Sequence, residues 1–194
     1  MKILYLDCGM GAAGDMLTAA LYELLPDKED FLDELNSLGI PGVTVFSEAS
    51  AKCGIQGTYI TVKVNDEEER EEIYSHDHEY EHSHSHKHTH DHEHFYEHKQ
   101  SHDGEYIHHH SSMHDIEHII ERLPISERVK AHIFAVYSLI AEAESHVHSV
   151  PVTEIHFHEV GTMDAIADIT AVCMLMDRLS PEQVIVSPIH VGSG

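Results

Sequence analysis

The sequence predicts a mixed α/β domain in which strands from both ends of the chain form a small sheet packed with about five helices, and a disordered histidine-rich insertion interrupts it. Three observations predict this. Runs of β-branched and aromatic residues stand near both termini and at residues 43–49 and 57–64; apolar residues recur at helical spacing between them; and apolar periodicity vanishes at Asn65 and returns near Met113. Residues 1–64 therefore read as β-α-α-β-β. Residues 65–112 are the insertion, and residues 113–194 are a helical part of the same domain that closes on a last strand.

Each element has its own signal. Residues 2–7 (KILYLD) form a short strand, and the turn CGMGAAG leads into a helix over residues 15–25. Asp27 is the expected N-cap of a second helix carrying Phe31, Leu32, Leu35 and Leu38, with Gly39 as its stop. Cys53-Gly54 permits a hairpin between the next two strands. Beyond Asn65, NDEEEREE gives way to histidines alternating with small or acidic residues. Such a segment cannot offset its ordering entropy by burial, which predicts disorder to about residue 110. Ile116, Ile119, Ile120 and Leu123 then mark a short helix ending at Pro124, and Ser126 caps a longer one carrying Val129, Ile133, Val136 and Ile140. Residues 184–191 read as the last strand. The chain stops at GSG, where a turn is expected to begin, so a further domain is expected beyond it.

Composition narrows the function. The formal net charge of -24 and pI of about 5.1 disfavour nucleic acid and anionic membrane as partners and favour a cation. No apolar run reaches the roughly 18 residues that a membrane span needs, and no basic region precedes a signal-type apolar core, so a cytoplasmic location is expected. Cys8, Cys53 and Cys173 form no paired framework, in keeping with a reducing compartment. Cys173 reads as a core residue, and Cys8 as the thiol to test for reactivity. The oligomeric state is left open, a homo-oligomer included.

Chemistry concentrates in HFHEVGTMDAIAD, residues 156–168. If 155–158 is extended, Ile155 and Phe157 point inward while His156 and His158 share the opposite face, where two imidazoles can hold one ion. Gly161 ends that run. The helix expected over residues 162–179 carries Asp164 and Asp168 one turn apart, on a stripe continued by Val172, Leu175 and Leu179. The bland reading is that Asp164 complements the helix dipole and the histidines face water. Gly9, Gly11 and Gly14 spell the dinucleotide fingerprint, but Asp7 and Asp15 would oppose a pyrophosphate, so close backbone packing beside a cation or cationic ring is the better reading. Gly11 and Gly14 are the candidate cofactor-binding positions.

The histidine tract, with His84, His86, His88, His90, His92 and His94 at its centre, suits Ni(II), Zn(II) or Cu(II) without a fixed geometry. It is internal, irregular and mixed with acids, which argues against a tag and for metal buffering. Glu142 with His146 and Glu144 with His148 read as surface pairs at helical spacing.

Three stretches, DCGMGAAGDM at residues 7–16, IHFHEVGTMDAIADI at 155–169 and SPIHVGSG at 187–194, together resemble the LarC family of nickel insertion proteins. The resemblance runs from the first strand to the last residue. It implies a lyase-class, CTP-dependent insertion of nickel into pyridinium-3,5-bisthiocarboxylic acid mononucleotide, forming one carbon–nickel and two sulfur–nickel bonds. It also implies a carboxy-terminal domain that binds CTP with Mg2+ or Mn2+, and a nickel-pincer-dependent enzyme as recipient. Making a metal–carbon bond on a ring requires loss of a ring proton, so Asp7, Asp15, Glu159 and Asp164 are candidate bases. His156, His158 and Asp164 are candidate nickel ligands, since imidazoles yield the ion to softer sulfur. Two other functions remain open at this point: nickel storage or chaperoning without catalysis, and a dinucleotide-dependent oxidoreductase.

Overall fold

The two ends of the chain meet in one sheet. In the computed structural model, which describes residues 1–67, 111–157 and 159–191, β1 (Ile3–Leu6) pairs in parallel with β6 (Gln183–Val186), Leu4 beside Val184 and Leu6 beside Val186. The last strand is shorter than the expected 184–191. Pro188 has no N–H to extend a ladder, and Ser187 turns its side chain to other use: its Oγ accepts the Cys8 N–H at 2.8 Å.

Between these strands lie α1 (Gly14–Tyr22), α2 (Lys28–Ser37) and a hairpin of β2 (Val43–Lys52) with β3 (Ile55–Val64). Cys53 and Gly54 both adopt positive φ, 53° and 79°, the geometry of a two-residue turn that matches strand twist. The hairpin is in register from Val43 opposite Val64 to Lys52 opposite Ile55, so Val45, Ile60 and Val62 share the buried face. Asp27 precedes α2 as expected, although its side chain makes no capping bond.

At the last two residues of the stretch assigned to the insertion, β4 (Ser111–Ser112) pairs antiparallel with β5 (His156–Phe157). Ser112 caps α3 (Met113–Arg122) through a reciprocal bond with Asp115, and Ser126 caps α4 (Glu127–His148). α5 (Met163–Leu179), capped by Thr162, runs through the core and packs on α1, α4 and the hairpin. Ile166, Ala167, Thr170, Ala171 and Leu175 are almost completely buried along it. Each large apolar side chain so buried contributes about 1.5–3 kcal/mol. The expected disorder of the insertion, with its tract histidines, lies outside the described residues. No described helix is long and apolar enough to cross a membrane.

Candidate functional site

The site is built where α5 meets the glycine turn. Ala13 at the N-cap position of α1 offers no side chain to the helix amides. A carboxylate reaches it from across the core: Asp168 on α5 lies against the first turn of α1, where the Asp15 N–H is near enough to favour its charged form. Close approach depends on Gly14. A methyl group there would lie 2.7 Å from both Cβ and Cγ of Asp168, and closer still to Oδ2, so only glycine fits. A carboxylate in that position also opposes a pyrophosphate at the fingerprint glycines. The helix N-terminus that would receive an anion is already occupied by a carboxylate.

Three acids therefore stand together. Burial pushes the Asp168 pKa up to about 7, and the nearby Asp164 and Asp15 carboxylates add to the rise while the Asp15 N–H opposes it. Asp168 Oδ1 is buried without a hydrogen-bond partner among the described residues. Asp15 folds back so that its Oδ1 accepts the Met16 N–H at 2.7 Å.

The last stretch joins the same turn. The Cys8 carbonyl accepts N–H bonds from Gly11 and His190, both at 3.0 Å, and the Ser187 N–H reaches the Leu6 carbonyl at 2.9 Å. Gly11, at φ 99°, makes the turn that presents this carbonyl. Asp7 is exposed, its Oδ1 accepting the Gly9 N–H at 3.1 Å. Cys8 is 3% exposed, so the thiol singled out for reactivity is out of reach of solvent reagents. Burial likewise pushes the Cys173 thiol up to about 11, as suits a core residue.

Other predicted residues stand apart or lie beyond description. His156 is exposed on β5 while Ile155 and Phe157 are buried, the expected alternation. His158 and the Glu159 side chain are not among the described atoms; the backbone of Glu159 opens a short 3-10 turn ending at Gly161. Among the described residues no group of three or more His, Cys, Asp or Glu is arranged to hold a metal ion. His148 Nε2 pairs with Glu144 Oε2 at 3.1 Å, the surface role expected of it. Asp168 was visible in the sequence as the partner of Asp164 on one helix face but was not among the candidate bases or ligands. Its spacing and its position on a buried stripe were the available signals.

The family model for nickel insertion proteins matches residues 4–194. The chain belongs to the nickel insertion protein family. Two relatives named pyridinium-3,5-bisthiocarboxylic acid mononucleotide nickel insertion protein are those of Clostridium kluyveri, 35% identical, and Clostridium acetobutylicum, 37% identical. Both alignments cover all of this chain, but 42% and 45% of the respective relatives. A third of the same name, from Lactiplantibacillus plantarum, is 33% identical over all of this chain and 41% of its own length. This family member thus spans less than half the length of the curated relatives it matches. No solved structure matches it.

Proposed function

We propose that this nickel insertion protein binds Ni2+ as a substrate and takes part in placing it in pyridinium-3,5-bisthiocarboxylic acid mononucleotide. The observation that carries the reading is the convergence of the family's stretches on one turn: Asp168 of the second meets Gly14 and Asp15 of the first, and Ser187 and His190 of the third bond to Cys8. In this reading His156, His158 and Asp164 hold the ion for transfer, and the histidine tract, His84 to His94 among it, stores it. Neutral imidazoles bind Ni(II) well yet are displaced by the thiocarboxylate sulfurs of the mononucleotide.

Forming the carbon–nickel bond releases the ring proton that carbon held, and a carboxylate must accept it. Asp7, Asp15, Glu159 and Asp164 are the candidates from the sequence. Asp168 joins them, because a carboxyl group that titrates near neutrality beside two other acids is suited to take a proton and give it up again. The dependence on CTP with Mg2+ or Mn2+, the lyase classification, the cytoplasmic location and transfer to a nickel-pincer-dependent enzyme are part of the same proposal. CTP use is assigned to polypeptide that the longer relatives carry.

Reconstitution tests the reading. Nickel, CTP, a divalent cation and the mononucleotide are incubated with this chain, and with the chain extended by the additional polypeptide of a relative. Mass spectrometry should detect the nickel-bearing nucleotide with the extended chain and much less with the 194 residues alone. Bound nickel without product in either case would favour storage or chaperoning instead.

A further inference from the structure

The β1–β6 sheet is unfinished in a specific way. A parallel sheet normally lies buried on both faces, yet among the described residues this one has two strands and exposes apolar side chains on each face. Tyr5 and Ile185, neighbours on the outer face, are 60% and 41% exposed, and Ile3 beside them is 45% exposed. On the inner face Leu4 and Leu6 pack against the core, but their neighbours Val184 and Val186 remain 41% and 47% exposed. The helical cover therefore ends at β1, and β6 projects past it.

Among the described residues no strand pairs with the outer edge of β6. Gln183 and Ser187 direct their N–H groups to β1, reaching the Lys2 and Leu6 carbonyls, so the alternating Val184 and Val186 direct theirs away from it. Sheet edges that must stay unpaired are usually guarded by charge, proline or a bulge. The residues of β6, Gln183, Val184, Ile185 and Val186, include neither charge nor proline.

We propose that the β6 edge and the Ile3, Tyr5 and Ile185 face form an interaction surface. Its occupant is the polypeptide by which the relatives exceed the stretch matched here, adding a strand beside β6 and an apolar cover over the outer face. The length supports that occupant, since the matched stretch is 42% of the Clostridium kluyveri relative and leaves ample chain for both.

Amide exchange decides it. The 194-residue chain is compared with the same chain fused after Gly194 to the additional polypeptide of the Clostridium kluyveri relative. Exchange at Val184 and Val186 should slow at least tenfold in the fused protein, and binding of an apolar fluorescent dye should fall. Tyr5→Lys with Ile185→Lys, made in the fused protein, should restore dye binding. The whole relative against its own matched stretch should give the same contrast without a graft. Unchanged exchange at the aligned strand in both comparisons overturns the proposal. So does concentration-dependent dimerisation of the 194-residue chain that protects the same amides, which would give the surface to a second copy.

Discussion

Asp168 on α5 lies against the first turn of α1, so close to Gly14 that the glycine has no room for a side chain. One carboxylate thus ties two family stretches, far apart in sequence, into one corner of the molecule. Burial in that corner, beside the Asp164 and Asp15 carboxylates, raises the pKa of Asp168, and both the packing and the titration can be measured.

Gly14→Ala should reverse the usual rule for helices. Within a helix alanine is ordinarily better than glycine by about 1 kcal/mol. Here the methyl group meets the stem of Asp168, so overpacking should instead cost about 1–3 kcal/mol. Chemical denaturation measures the sign directly, and a stabilised variant would show that the corner is looser than described.

Asp168 should make stability fall as pH rises. Its folded-state pKa of about 7 lies above the model-compound value, so the folded protein binds the extra proton between the two. Stability from this group is full below about pH 4, is lost as pH rises through about 7, and changes little beyond. Asp168→Asn stays neutral throughout. The variant should melt higher than the parent at pH 8, by at least about 2 °C, with the gap closing toward pH 4. A gap that widens in acid would assign the carboxylate the opposite charge preference.

Ser187→Ala should loosen the join between the first and last stretches. The Cys8 N–H would lose its 2.8 Å acceptor, at a cost of about 1 kcal/mol, and its exchange should quicken. Ser187→Thr keeps the hydroxyl and should restore most of the loss. Equal behaviour of the two variants would mean that the hydroxyl contributes nothing.

Much of this arrangement was legible in the sequence because it is local. Ser126 sits immediately before an apolar repeat, and Cys53-Gly54 stands between two β-branched runs, so that cap and the hairpin follow from neighbours a few residues apart, whereas the Ser112 cap of α3 falls within the stretch assigned to the insertion. The pairing of the terminal strands was also expected, since neither β1 nor β6 has a sequence-adjacent partner. The early end of β6 turns on Ser187 serving Cys8, which periodicity does not register. Periodicity places Asp168 on the buried stripe of α5 but does not register its neighbour across the core, the first turn of α1 at Gly14. Cys8 reads from the sequence as the thiol to test because it stands beside a glycine-rich turn, and its burial depends on the fold as a whole.

Storage and delivery should separate genetically in an extended chain. Deleting residues 76–110 should lower the number of nickel ions bound and leave delivery intact at saturating metal. His156→Ala with His158→Ala should spare most bound nickel and abolish formation of the nickel-bearing nucleotide. Normal delivery by the double variant at limiting metal would remove both histidines from the transfer path.

Nickel titration of the chain lacking residues 76–110 tests the fixed site most directly, because the tract no longer masks it. Equilibrium dialysis should find a single high-affinity ion per chain, lost when His156→Ala, His158→Ala and Asp164→Asn are combined. Its affinity should weaken as pH falls below about 6.5, where imidazole protonates. A tract-deleted chain that is folded and binds no nickel at neutral pH would contradict the account.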